Sequence, residues 1–241
     1  NYLLTSGVNY TLSNSQAAIS KVGTAATGVL TSPGVLTIVA TPGADLSALG
    51  TDGNDVIQLT SGASYTLSFA QALSAQLVSS SSNGPVYGTP GQLDSAGQIT
   101  LRAPAATGAS DLTVLLANVT GVDTIVLNAG QAYMLSAGQA GVAQIGNGGT
   151  RGDLGSTGVI TVLAGSTQDL SAIKTDSNDI LQLDDATDYT LTAAQALIAR
   201  IGTTGKAGAL GSTGDLRILA QVSGDFSTLG TDSDDMLVLW P

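Results

Sequence analysis

The chain contains no cysteine and no histidine, and its 18 acidic residues are all aspartate, with no glutamate among them. These absences remove imidazole, thiolate and any glutamate that burial could tune, which is most of the machinery of general acid–base and nucleophilic catalysis. Zinc, copper and haem sites lose their usual ligands as well. What is left for a metal is oxygen, from aspartate, asparagine and backbone carbonyls, and oxygen suits calcium. The lack of cysteine fits an extracellular bacterial protein built without disulfides, and equally a cytosolic one.

Cations are scarce too. Seven Lys and Arg against 18 Asp give a net charge of −11, which argues against nucleic acid as a partner, because few side chains are available to meet phosphates. No apolar run approaches the length of a membrane span, and the first residues are not a basic, apolar signal segment. The expectation is a processed chain, or one secreted by a route without a cleaved N-terminal signal. One Trp and two Phe leave little for stacking on sugars, so no enzyme is expected, glycosidases included.

What the chain does have is Gly, Ser, Thr, Asp and β-branched residues, the composition of short strands joined by turns. Hydrophobic residues make up 43%, enough to fill a core and to exclude disorder. Tyr10–Leu12 recurs as Tyr65–Leu67, Tyr133–Leu135 and Tyr189–Leu191, with starts 55, 68 and 56 residues apart, and each copy is followed by Gln-Ala. A period of this size marks an array whose units bury their apolar faces against neighbours.

Four segments recur in fixed order. An apolar strand ends in Leu (Val56–Leu59, Thr124–Leu127, Ile180–Leu183, Met236–Leu239), and the Tyr-x-Leu strand follows. A helix comes next, then a Gly-rich loop and a second strand at Leu36–Ile38, Ile99–Leu101, Ile160–Val162 and Leu216–Ile218. An Asp-Leu-Ser-like segment at Asp45, Asp111, Asp169 and Asp225 leads into the next unit. The helix is read from a capping box: Ser13, Ser68, Ser136 and Thr192 each stand three residues before Gln16, Gln71, Gln139 and Gln195. In the fourth copy Ala194, Leu197, Ile198 and Ile201 make an apolar stripe at helical spacing, with Gly202 as the stop.

These features predict a mainly β fold, a β-solenoid-like array of four repeats with one short helix per repeat: residues 1–55, 56–123, 124–179 and 180–241. An array of small, separately folded domains is the architectural alternative. The second repeat carries extra residues at Ser79–Pro90 and Pro104–Ser110, and insertions in repeat proteins collect on one face. Gly84, Pro85, Gly88, Pro90 and Gly91 argue against a regular element there.

Between the copies runs a framework of aspartates. Asp52, Asn118, Asp176 and Asp232 lie seven residues after the Asp-Leu-Ser starts, and Asp55, Asp123, Asp179 and Asp235 lie four before the strand-ending Leu. Asn54, Asn178 and Asp234 stand beside three of them. Alternating oxygen side chains in a tight turn offer calcium ligands in the first, third and fourth repeats: Asp52, Asn54 and Asp55; Asp176, Asn178 and Asp179; Asp232, Asp234 and Asp235. The competing reading is an Asx turn that bends the chain into the next strand. The Thr120–Asp123 turn of the second repeat is the one least suited to metal.

Gly50–Ile57 resembles one arm of the Gly- and Asp-rich nonapeptide of RTX proteins, and Asp176–Leu181 and Asp232–Leu237 resemble it in part. The whole composition is similar to β-strand repeats of bacterial secreted surface-layer proteins and large RTX-type adhesins. That resemblance implies an extracellular or cell-surface location, calcium, and a structural or adhesive role. Aligned on the tyrosine, Leu4 is equivalent to Leu59, Leu127, Leu183 and Leu239, so an apolar strand stands at both ends. Two explanations stay open: a stretch of a longer chain, or head-to-tail self-association into a filament. The functional expectation is a structural subunit or segment of a filament, surface layer or adhesin stalk. A glycan- or surface-binding module using the second-repeat loops is the alternative.

Overall fold

The structure is a computed structural model and describes residues 2–31, 34–82, 84–93, 96–105, 108–118, 123–155, 158–220 and 226–239. The first repeat gives β1 (Tyr2–Leu4), β2 (Tyr10–Ser13), α1 (Asn14–Ile19), β3 (Ser20–Val22) and β4 (Leu36–Val39). The second gives β5 (Val56–Thr60), β6 (Tyr65–Ser68), α2 (Phe69–Ser74), β7 (Ala75–Ser81), β8 (Gly84–Tyr87), β9 (Ile99–Arg102) and β10 (Ser110–Asp111), followed by a 3₁₀ segment, Thr113–Asn118. The third gives β11 (Thr124–Leu127), β12 (Tyr133–Ser136), α3 (Ala137–Val142), β13 (Ala143–Ile145), β14 (Ile160–Ala164) and β15 (Gln168–Asp169). The fourth gives β16 (Ile180–Leu183), β17 (Tyr189–Thr192), α4 (Ala193–Ile198), β18 (Ala199–Ile201) and β19 (Leu216–Ala220), and β20 (Met236–Leu239) begins the motif again. The fold is mainly β, with one six-residue helix per repeat.

Two compact units divide the chain: 1–104 with 115–126, and 105–114 with 127–241. In the first, β2, β4, β5 and β7 pair parallel in that order, with β8 added antiparallel to β7. A second ladder runs β6–β9–β11, and β1 pairs with β3. In the second unit the orders are β10–β12–β14–β16–β18 and β15–β17–β19–β20, all parallel.

This corrects the solenoid expectation. A solenoid stacks each strand on its own equivalent in the next repeat. Here unlike strands pair: the Tyr strand with the second strand, that strand with the apolar strand of the following repeat, and the apolar strand with the one after the helix. Each sheet therefore draws on successive repeats and ends after a few strands. The reason lies in the helix, whose exit residues adopt extended backbone (Ala199 φ −70, ψ 145) and at once become a strand that occupies the apolar strand's edge.

Inside each unit, alternate residues face the core. Leu67, Leu135 and Leu191 of the Tyr strands, Ile38 and Val162 of the second strands, and Ile57 and Leu181 of the apolar strands have no exposed surface. Ala17, Ala72, Ala140 and Ala196 bring the helices against them with no exposed surface either. All four capping boxes are formed, each Ser or Thr accepting the N–H of its Gln while the Gln oxygen accepts the N–H of the cap. The stripe expected in the fourth helix is not its buried face. Ala193, Gln195 and Ala196 are buried, Leu197 is exposed, and Ile201 belongs to β18. A helix of six residues is too short to carry a two-turn stripe, and the alanines let its backbone approach the sheet.

Candidate functional site

The aspartate turns are built alike. Asp55 accepts the N–H of Asp52 on Oδ2 at 2.8 Å and that of Leu36, nineteen residues earlier, on Oδ1 at 3.0 Å. Asp52 Oδ1 accepts the N–H of Asn54 at 3.0 Å. Asp179 takes Asp176 and Ile160 at 2.8 and 2.9 Å, and Asp176 takes Asn178 at 2.7 Å. Asp235 takes Asp232 and Leu216 at 2.8 and 3.1 Å, and Asp232 takes Asp234 at 3.1 Å. In the second repeat Asp123 accepts Ile99 N–H at 2.8 Å. Residues 119–122 and 225 and the Asn118 side chain lie outside the described residues.

The strand position explains why Asp is used. Leu36, Ile99, Ile160 and Leu216 each open the second strand, where the first N–H has no ladder partner on its own. The short side chain of an aspartate at the mouth of the neighbouring apolar strand reaches it. Asp55, Asp123 and Asp179 are buried, so the bond forms in a place where an unpaired N–H would be costly. The structure thus brings Asp52, Asn54 and Asp55 together, and the third- and fourth-repeat trios likewise, as Asx turns with a clamp.

Burial pushes the carboxyls of Asp55, Asp179 and Asp235 above the ordinary aspartate range. The two backbone N–H bonds on each pull the other way, and the carboxylate three residues earlier adds to the rise, joined at Asp235 by that of the adjacent Asp234. Among the described residues no three acidic side chains converge as a metal ion would require. The Asp-Leu-Ser starts are closed locally: Asp45 accepts the N–H and hydroxyl of Ser47, Asp111 those of Thr113, and Asp169 those of Ser171. Burial works to raise Asp45, but its bonds to Ser47 and the charge of Arg102, 3.6 Å away, outweigh it and hold it low.

The second-repeat insertion departs from expectation. Ser79–Ser81 and Gly84–Tyr87 form an antiparallel hairpin, with Ser79 opposite Val86 and Ser80 opposite Pro85. Pro85 is tolerated because β8 is an edge strand and needs no ladder donor there. The hairpin walls a cleft of about 260 Å³ lined by Ser61, Leu77, Ser79, Val86, Thr89 and Gln92. In the Pro104–Ser110 insertion, residues 106 and 107 lie outside the described residues.

Two structural roles escape sequence reasoning. The repeat glutamine does more than cap. Gln71 Nε2 donates to Leu46 O and Leu49 O at 2.7 and 3.0 Å, Gln139 to Leu112 O at 2.6 Å, and Gln195 to Leu170 O and Ile173 O at 2.7 Å each. It therefore pins the starts of α2, α3 and α4 to the Asp-Leu-Ser turn before each. A Gly-x-Leu turn also recurs, with Leu30, Leu93, Leu154 and Leu210 buried and Gly28, Gly91, Gly152 and Gly208 at φ +74 to +82, a conformation that favours glycine. Its signal in the sequence is the Gly-x-Leu spacing of Gly28-Val29-Leu30 and its three counterparts, inside the Gly-rich loops.

Comparison with family models, with curated proteins and with solved structures returned no match.

Proposed function

We propose that the chain is a structural segment of an extracellular bacterial assembly, a filament, surface layer or adhesin stalk whose segments associate head to tail. One observation carries this reading. The polar side chains that recur in every repeat, the Gln of the helix, the Asp of the clamp and the Tyr of the strand, are spent on backbone groups. The Tyr hydroxyls accept N–H of Thr60, Asn128 and Asp184 at 2.9 to 3.1 Å. A repeat that invests its polar groups in this way is specified for shape rather than turnover. Calcium joins the reading as a stabiliser at the solvent side of the Asp52–Asn54, Asp176–Asn178 and Asp232–Asp234 turns.

The test is a thermal melt with calcium and with chelator, followed by electron microscopy of both samples. A ligand bound only by the folded state raises the melting temperature, and filaments or sheets in the images support assembly. Superimposable melts assign the aspartates to turn-making alone, and dispersed monomers at high concentration reject assembly.

The hairpin cleft favours a second reading, a surface-binding module for an uncharged glycan. Its polar lining consists of hydroxyls and one amide, with no charged side chain. Shortening the Ser79–Pro90 hairpin while assembly persists separates the two: unchanged glycan retention removes the cleft as the site.

A further inference from the structure

Five strands, β2, β4, β5, β7 and β8, form one sheet of the first unit, and none of their residues is charged. Every other sheet carries a cation in its strands: Lys21, Arg102, Arg200 or Arg217. In a chain of net charge −11 a neutral sheet is a distinct surface. Ile38, Ile57 and Leu59 point inward, at 0% exposure, so the residues that alternate with them point outward. The register sets Thr37 beside Val56, Gln58 beside Gln76, and Val78 between Thr60 and Tyr87. Thr60 and Tyr87 are exposed and the others half-buried.

The second-repeat hairpin supplies the far end of this outer face. Side chains alternate along β8, so Val86 turns to the hairpin cleft while Tyr87, opposite Val78, turns to the outer face and is 53% exposed. At the near end Val56 also lines a groove of about 340 Å³ with Ala70, Leu73 and Pro90, and Leu73 is 42% exposed. The carboxylate in that groove, Asp55, already accepts the N–H groups of Asp52 and Leu36. From Val56 to Tyr87 is about 16 Å at the usual strand rise and spacing.

Chemistry and size select the occupant. A face without cations has no partner for an acidic polymer, and one without anions has none for a basic polymer. Its hydroxyls and amides can exchange hydrogen bonds with sugar hydroxyls, its valines cover C–H surface, and Tyr87 offers a ring with a polar tip. The face spans about 250 Å² at standard strand dimensions. Two copies stacked on it would bury about 500 Å² in total, well under the roughly 1,200 Å² of a specific protein interface. Each copy would also bring a charge of −11. We propose that this face is a platform for a neutral polysaccharide, which seats in the Val56–Leu73–Pro90 groove and runs over Gln58, Gln76 and Val78 to Tyr87. The platform rests on the glycan-binding reading and lies on the opposite side of the hairpin from the cleft.

The test is retention of the purified chain on insoluble cellulose, mannan and starch, which are neutral, and on alginate-coated beads, which are anionic. At least one neutral polymer should retain the chain, at least tenfold more than alginate does. Thr60→Lys puts a charge on the exposed face and should lower that retention at least tenfold. Tyr87→Ala and Leu73→Asn, at the two ends, should each lower it severalfold, and Val86→Ala, on the cleft side, should leave it unchanged. All four positions are exposed, and a thermal melt of each variant checks folding. Should Thr60→Lys not fold, the Tyr87 and Leu73 variants decide. Retention abolished by Val86→Ala and kept by the other three overturns the platform and leaves the cleft as the glycan site. No retention on any neutral polymer overturns both. Ice-growth inhibition or dimerisation that Thr60→Lys abolishes, without glycan retention, overturns the proposal and makes ice or a second copy the occupant.

Discussion

The carboxylate of Asp179 accepts the backbone N–H of Ile160 at 2.9 Å, joining the mouth of one strand to the first residue of its neighbour. Asp55 and Leu36, Asp123 and Ile99, and Asp235 and Leu216 repeat the contact. This one bond sets where two parallel strands begin relative to each other.

Removing it exposes its value. Asp179→Ala leaves the buried N–H of Ile160 and the half-buried N–H of Asp176 unpaired, which should cost about 2 kcal/mol. Asp179→Asn keeps one acceptor and removes the buried charge, so it should cost less than Ala. Urea unfolding of the two variants checks the order; Asn at or above the cost of Ala would contradict the clamp geometry.

The glutamines should separate by position. Gln195→Ala loses a cap and strips a donor from two carbonyls, a loss of about 2–3 kcal/mol. Gln16→Ala loses only the cap, about 1 kcal/mol or less. Equal losses in denaturant melts would mean that the contacts to Leu170 and Ile173 contribute nothing.

Ala186 occupies the turn position held by Gly7, Gly62 and Gly130, and its φ is +51 where theirs are +72 to +80. A left-handed backbone is unfavourable for any residue with a Cβ. Ala186→Gly should therefore stabilise by about 0.5–1 kcal/mol after the extra chain entropy of glycine. A lower melting temperature for the variant would refute the strain.

Mild acid should stabilise the fold. Burial raises the folded-state pKa of Asp55, Asp179 and Asp235, so in the window above the unfolded value of about 3.9 the folded chain holds more protons than the unfolded one. Their contribution is fully present below the unfolded value and is lost as pH rises through the raised folded values. Asp45, held low, acts oppositely and loses its contribution as pH falls through its own folded value. The urea midpoint should rise from pH 7 towards pH 5, and the rise should shrink in Asp179→Asn. A midpoint that falls steadily over that interval would contradict the assignment.

Local structure was legible wherever a side chain acts on its own segment. Ser13 and Gln16, or Thr192 and Gln195, announce a helix start because the cap closes within three residues. The apolar strands and the second strands read out through alternation, and the Asx turns through Asp and Asn spacing. The hairpin at β7–β8 is not legible in the sequence because Pro85 counts against a strand in general but not at an edge. The end of the fourth helix is hidden in the sequence because Ile201 keeps helical spacing, whereas the chain has already turned extended at Ala199.

The sequence by itself determined the repeat, its segments and the capped helix in each, because these depend on contacts a few residues long. Which strand pairs with which was decided only by tertiary structure. That choice rests on bonds such as Asp55 to Leu36 and Gln71 to Leu46, whose partners lie 19 and 25 residues apart and are backbone atoms. Every residue carries such atoms, so no pattern of side chains marks them in advance.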